Sequence, residues 1–187
     1  MFIQTEATPN PSTLKFLPGR EVLPEGSTLH MTNAAEGAQS PLAEKLFSIE
    51  GVAGVFFGSD FITITKSQAE WQHLKPAVLG AIMEHYLSDA PILREHAVTN
   101  GAMGEEFFDE ADEETVETIK DLLDTRVRPA VAADGGDITF RGFREGVVYL
   151  DMKGACSGCP SSTATLRNGI QNLLRHFVPE VQEVRAA

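Results

Sequence analysis

The sequence predicts an α+β protein made of two small α+β domains joined by an acidic flexible linker. Strand-like and helix-like hydrophobic patterns follow one another in both halves of the chain. Between the halves, residues 105–117 carry eight carboxylates and no basic side chain. The length of 187 residues suits one domain or two small ones. We therefore place the domains at residues 1–96 and 111–187 and the linker at residues 97–110.

The first half alternates short strands with two helices. Ser40 followed by Pro41 is typical of a helix start, because Ser caps the first turn and Pro has no amide hydrogen to leave unbonded. Ser67 with Glu70 predicts a capping box for the second helix, and Pro76 predicts a break in it. The predicted strands are residues 2–5, 14–17, 28–31, 52–57 and 61–65, the last two forming a hairpin.

In the second half, two helices flank a hairpin. A helical period covers residues 116–127, and we expect Pro129 and the turn at residues 134–137 to end this helix. The last helix begins at the caps in residues 161–163 and ends at Pro179. The hairpin strands are residues 138–141 and 147–152, and the last helix carries the apolar residues Leu166, Ile170, Leu173, Leu174 and Phe177.

Charge and composition exclude several kinds of function. With 15 Lys and Arg against 27 Asp and Glu, the net charge of -12 disfavours nucleic acid and anionic membranes as partners. No apolar run approaches the roughly 18 residues of a membrane span. Two cysteines are too few for a secreted disulfide framework, and the first residues lack a targeting pattern. We expect an intracellular, reducing location: the bacterial cytoplasm, or the mitochondrial matrix if the chain is a processed form.

Both cysteines lie in one short loop between the second hairpin strand and the last helix. Cys156 and Cys159 are flanked by Gly154 and Gly158, which leave space around the sulfur atoms. The positive end of the following helix is expected to favour the thiolate, the form that binds metals and attacks disulfides. A C-x-x-C pair offers two thiolates to one metal or cluster, and it also occurs as a redox pair.

Three hypotheses remain open for this loop: metal or cluster ligands, a thiol-disulfide oxidoreductase pair, or inert core cysteines. The Gly-rich setting disfavours inert cysteines. A thioredoxin-like fold needs further strands after its helix, whereas only 28 residues follow Cys159 and the helix uses most of them. Ligation is therefore favoured over redox exchange. A structural dimer bridged by zinc is a further form of ligation, and it ranks third, below a bound cluster and redox exchange.

Ligation has a consequence for the number of chains. Zinc and iron-sulfur centres normally take four protein ligands, and this chain has two cysteines. His176 lies several helical turns beyond the loop and is expected to be a surface residue. Asp134 and Asp137 flank two glycines and are better explained by turn formation than as a carboxylate pair. A second chain would thus supply the other two ligands, and a centre so exposed is suited to transfer.

These residues resemble a known family. Residues 134–137, the hairpin that follows and residues 154–163 resemble the NifU-like C-terminal domain of Nfu-type iron-sulfur carrier proteins, over residues 111–187. Upstream, residues 8–16 and 51–66 look like the N-terminal domain of the same carriers.

The resemblance implies a carrier or scaffold for an iron-sulfur cluster, usually [4Fe-4S], and no enzymatic activity. Cys156 and Cys159 would be the ligands, in a homodimer that forms around the cluster. Upstream cluster-assembly proteins would be the donors and apo iron-sulfur proteins the recipients. The N-terminal domain has no cysteine, so it would engage partners and supply no thiolate.

Overall fold

The computed structural model describes residues 1–95, 106–156 and 160–187, and of residues 160–163 it describes only the backbone. The chain divides into two compact units, Met1–Gly101 and Ala102–Ala187. Each described unit combines helices with one β-sheet. The predicted α+β class is therefore confirmed.

The first unit has a five-stranded antiparallel sheet in the order β1-β2-β5-β4-β3. Alternate residues of the central strands, such as Phe16, Phe57 and Ile64, are buried against Leu42 and Val78 of two helices. The elements are β1 Gln4–Ala7, β2 Thr13–Leu17, β3 Leu29–Met31, α1 Ala34–Gly37, α2 Pro41–Phe47, β4 Val52–Phe57, β5 Ile62–Lys66 and α3 Trp71–Leu87.

The start predicted for α2 is confirmed, and two details of α3 are wrong. The Ser40 hydroxyl accepts a hydrogen bond from the Ala43 amide at 3.1 Å. Ser67, in contrast, donates its hydroxyl to the Gly51 carbonyl at 3.3 Å and does not cap α3. Pro76 lies inside α3 without breaking it. It is exposed, so water can satisfy the backbone carbonyl that a proline leaves without an amide partner.

The second unit has a three-stranded sheet in the order β6-β7-β8, with β6 antiparallel and β8 parallel to β7. Its helices bury Ile119, Val131, Ile170 and Leu174 against the sheet, where Leu150 is fully buried. The elements are a 3-10 turn Glu110–Asp112, α4 Glu113–Leu122, a π-helical segment Leu123–Val127, α5 Arg128–Ala133, β6 Gly136–Arg144, β7 Val147–Gly154, α6 Pro160–Phe177 and β8 Glu183–Ala186.

Two predictions for the second unit need correction, and one strand was not predicted. Helical backbone continues past Pro129 to Ala133, because the wide π-helical turn before it places the proline at the start of α5. The strand β8 was not predicted; it follows the end of α6 and pairs with β7. Phe177 was predicted on the buried face of α6, but its side chain is 45% exposed.

The described part of the predicted linker, residues 106–110, is attached to the second unit. The amide of Phe107 donates to the Arg141 carbonyl at 3.1 Å, and the Phe143 amide donates to the Phe107 carbonyl at 2.9 Å. The Phe107 ring covers Gly142, where a Cβ atom would come within 2.5 Å of it. The remainder of that linker, residues 97–105, lies outside the described residues.

Candidate metal centre

Cys156 lies just beyond β7, in the connection to α6. Gly154, the last residue of β7, has a φ of +66° and pairs with Gly136 at the start of β6. The Ala155 amide donates to the Gly135 carbonyl at 3.2 Å. These contacts hold the residues before Cys156 against the turn that precedes β6.

The side chain of Cys156 is buried. It is 7% exposed and belongs to the hydrophobic core of the second unit. Its sulfur lies close to Gly136, since a Cβ atom added there would come within 2.7 Å of Sγ. The same Cβ would also come within 2.7 Å of the Lys153 carbonyl oxygen. The sulfur therefore fits in this position only because residue 136 is a glycine and has no side chain.

The expectation that the following helix favours the thiolate is wrong for Cys156. Burial, followed by the negative charges of Asp134 and Asp137, raises the pKa of the Cys156 thiol to about 12. The sequence predicts where the helix starts, but not that core residues and two carboxylates surround the sulfur. At neutral pH the residue is a thiol, so a metal ion has to displace its proton.

Asp137 does more than shape the turn, which corrects the sequence interpretation of this residue. It lies in β6, is 4% exposed and accepts two hydrogen bonds from Arg128. Arg128 Nε donates to Asp137 Oδ1 at 2.9 Å and Nη2 donates to Oδ2 at 3.1 Å. The hydrogen bond to Asp137 is also the largest cause that raises the pKa of Arg128. This pair fixes the start of β6 and with it the position of Gly136.

Further charges surround the same end of the hairpin. Lys153 is 6% exposed and lies opposite Asp137 in the strand register. Burial lowers the pKa of Lys153, and Asp151 acts against that shift. Arg141 Nη2 donates to Asp151 at 2.9 Å. Strand alternation could have indicated this layer, because Asp137, Asp151 and Lys153 alternate with apolar residues. No sequence pattern indicates the pairing of Arg128 with Asp137, because a turn separates the two residues in the chain.

The remaining residues considered for a metal site are Cys159 and His176. Cys159 lies outside the described residues, so its predicted role as a ligand stays a prediction. His176 is exposed, as expected, and its ring lies edge-on to Phe177 at 5.0 Å. Within residues 1–95, 106–156 and 160–187, no group of three or more His, Cys, Asp or Glu side chains could hold a metal ion. In the same ranges, no helix combines the length and apolar composition of a membrane span.

The fold and the loop define a class of protein: a tandem of two α+β units, the second presenting a C-x-x-C sequence between a strand and a helix. Residues 3–89 match the family described as "Scaffold protein Nfu/NifU N terminal". Residues 119–185 match the "NifU-like domain". The chain therefore belongs to the Nfu family, in which an Nfu N-terminal domain precedes a NifU-like domain.

Curated relatives cover nearly the whole chain. Proteins from Drosophila erecta and Drosophila willistoni, both named "NFU1 iron-sulfur cluster scaffold homolog, mitochondrial", are 53% and 55% identical to it over 185 residues. The match covers 98% of this chain but only 64% and 63% of the two relatives, so the chain spans less than two thirds of their length. Among solved structures, a NifU-like protein from Saccharomyces cerevisiae is 28% identical with a TM-score of 0.45, covering 51% of this chain and 87% of that one.

Proposed function

We propose that this protein is a scaffold and carrier for an iron-sulfur cluster, which is its cargo. The observation that carries the proposal is the pair of cysteines: the chain has only two, and they form one C-x-x-C sequence at the strand-helix junction of a NifU-like domain. The names of the Drosophila relatives describe iron-sulfur cluster scaffolds, which supports the same function. Cys156 and Cys159 are the proposed ligands, and [4Fe-4S] is the proposed cluster.

Two thiolates per chain imply a shared cluster. Iron-sulfur clusters are held by four cysteine ligands, so two chains with one C-x-x-C each complete one site. The metal-thiolate bonds then add to the association energy of the pair, and cluster loading favours the dimer. We propose a homodimer that forms around the cluster.

A cluster held by two short loops can be passed on. Incoming thiolates of an apo iron-sulfur protein can replace Cys156 and Cys159 one at a time, so the iron need not be released to water. We propose apo iron-sulfur proteins as recipients and cluster-assembly proteins as donors, with a carrier role and no catalytic reaction. The first unit has no cysteine, and we propose that it engages these partners.

The location follows from the chemistry of the ligands. Both thiols must stay reduced to accept iron, which requires a reducing compartment. We propose the bacterial cytoplasm or the mitochondrial matrix; the names of the Drosophila relatives place those proteins in mitochondria.

Anaerobic reconstitution with iron and sulfide tests the function. We expect a brown protein with one cluster per two chains, identified by Mössbauer spectroscopy together with iron, sulfide and zinc analysis. Cys156→Ser and Cys159→Ser should each abolish stable cluster binding. Gly169→Ala is the matched control, because a Cβ atom there meets nothing within 4 Å among the described residues. A colourless protein that holds only zinc would contradict the proposal and favour the zinc-bridged dimer.

Sedimentation velocity tests the shared cluster. The unloaded protein should be a monomer or weak dimer, and the loaded protein a dimer. A cluster-loaded monomer, without an added thiol such as glutathione, would rule out bridging by two chains.

The alternative is a thiol-disulfide oxidoreductase that uses the same cysteines. The strand β8 removes one argument against it, since a strand does follow the helix. The buried Cys156 argues the other way, because attack on a disulfide requires a thiolate. Transfer of the cluster to an apo [4Fe-4S] enzyme such as aconitase, in the presence of an iron chelator, supports the carrier. Rapid reduction of insulin disulfides without any cluster transfer would establish the oxidoreductase.

A further inference from the structure

We propose that the unloaded protein stores the Cys156 sulfur against Gly136, and that the sulfur leaves this position when it binds a cluster. The inference rests on the proposed function, because it concerns how a ligand of that cluster becomes accessible. The storage position is defined by the burial of Cys156 in the core of the second unit and by the close approach of its sulfur to Gly136.

The stored position cannot be the ligating one. A cluster shared by two chains has to be reached from the surface of each chain, whereas Cys156 is 7% exposed. Its sulfur contributes to the same core as the helix residues Val131 and Ile170. Iron bound between two chains cannot enter that core, so the Cys156 side chain must turn outward first.

Gly136 makes storage possible by having no side chain. Its backbone is extended at the start of β6, unlike that of Gly135, which has a φ of +82°. Backbone conformation therefore does not demand glycine at residue 136, but space does. A Cβ atom there would come within 2.7 Å of Sγ and 3.1 Å of the Cys156 amide nitrogen. Any larger residue has to push the sulfur away.

Loading then consists of a movement followed by ligand exchange. The Cys156 side chain turns out of the core, the thiol gives its proton to water, and the sulfur donates an electron pair to iron. A ligand of the incoming cluster leaves with its own electron pair, and no atom changes oxidation state. Until that happens, burial protects the thiol from oxidants, whose attack depends on exposure and on thiolate character.

Thiol labelling measures the storage directly. In a Cys159→Ala protein, Cys156 is the only thiol, so labelling by iodoacetamide reports on this residue alone. We expect labelling of the folded, unloaded protein to be at least about tenfold slower than in urea at the same pH. Adding Gly136→Ala should raise the rate toward that of the unfolded chain, whereas Gly169→Ala should leave it unchanged. Equal rates in the folded and unfolded protein would overturn the inference.

A second measurement covers the case in which Gly136→Ala does not fold, since the new Cβ would also meet the Lys153 carbonyl. Cys156→Ala removes a buried sulfur if the residue is stored. The thermal midpoint of the unloaded second unit should then fall by roughly 4 °C or more. An unchanged midpoint means that the sulfur is not packed in the core, and this result also overturns the inference.

The two proposals fail in different ways. If the protein is not a cluster carrier, reconstitution gives no cluster while Cys156 stays protected from iodoacetamide. If only the storage is wrong, the cluster binds normally while Cys156 of the unloaded protein labels as fast as the unfolded chain.

Discussion

Asp137 carries a charge inside the second unit, and that charge is matched by Arg128. The Asp137 side chain is 5% exposed, and Arg128 forms two hydrogen bonds to it. Replacing Arg128 by Met would remove both of these hydrogen bonds from a buried carboxylate. We expect the free energy of unfolding of the second unit to fall by about 3 kcal/mol. Urea unfolding followed by circular dichroism measures the change.

Arg128 also supplies the control for this experiment. Its Nη1 lies 3.3 Å from Asp124, whose side chain is 63% exposed. Exposed ion pairs contribute little, so Asp124→Asn should change the free energy of unfolding by less than about 0.5 kcal/mol. Equal effects of the two substitutions would show that burial of Asp137 is not what makes its pair important.

We expect His85 to make the stability of the first unit depend on pH. The residue is fully buried in α3, and among the described residues neither ring nitrogen has a hydrogen-bond partner. Burial and the charge of Lys45 lower its pKa, although the backbone of Ala90 opposes the shift. The unfolded state therefore binds a proton more readily than the folded state does. Stability of the first unit should fall as the pH drops below about 6.5, by at most about 1.4 kcal/mol per pH unit for this residue.

Fluorescence of Trp71, the only tryptophan, reports on the unfolding of this unit in the intact chain. His85→Leu should flatten the dependence on pH between 5 and 7. His73 is the matched control, because it lies in the same helix and is exposed. If His73→Gln flattens the curve as much as His85→Leu, the buried histidine is not responsible.

The candidate site could be predicted from sequence only where the chemical type of a residue is enough to assign its role, without knowledge of its neighbours in space. The cysteine spacing identified the candidate ligands, because two thiols separated by two residues can bind one metal or cluster. Burial of Cys156 could not be predicted, since it depends on Gly136, twenty positions earlier in the chain. The Arg128 to Asp137 pair was missed for the same reason: neither residue belongs to a local motif that requires the other.

Secondary-structure elements were predictable where local signals decide them. The Ser40 cap is confirmed, and the hairpins formed by β4 with β5 and by β6 with β7 lie where turn residues and strand alternation placed them. Prolines misled the prediction, because Pro76 and Pro129 stay in helices that tertiary packing holds together. The strand β8 was missed because its four residues are stabilised by pairing with β7, a contact that no local pattern reveals.

Phe107 fastens the segment before α4 to the outer edge of β6. Its backbone makes two hydrogen bonds to β6, and its ring lies 5.1 Å from that of Tyr149. Phe107→Ala should release residues 106–109 while the second unit stays folded. We expect faster proteolysis in this segment and faster hydrogen exchange of the Phe143 amide, which donates to the Phe107 carbonyl.

Gly142→Ala should have the same effect, because the added Cβ atom would meet the Phe107 ring. Phe108→Ala is the control. Phe108 is the next residue in the chain, but the residue that forms the bridge to Gly142 of β6 is Phe107. Unchanged exchange of the Phe143 amide in Phe107→Ala would mean that the backbone bonds hold the segment without the ring.

At the scale of the whole molecule, the two compact units have separate hydrophobic cores. A protein in which residues 1–96 are deleted should therefore keep its cluster content after reconstitution, because both proposed ligands lie in the second unit. Transfer to some recipients should slow, since the proposed partner-engaging surface is lost. Iron analysis and aconitase reactivation measure the two effects. Loss of the cluster on deletion would show that the first unit is needed for binding.

The parallel pairing of β8 with β7 has a consequence for synthesis on the ribosome. The middle strand β7 cannot complete its hydrogen bonds on one side until β8, about thirty residues later, has emerged. Pairs that are distant in sequence form slowly, because the intervening chain must close first. During translation the first unit can fold early. The sheet of the second unit stays incomplete until β8 is available, although both cysteines have been synthesised by then. In that interval the core that buries Cys156 lacks Val184 of β8 and is incomplete.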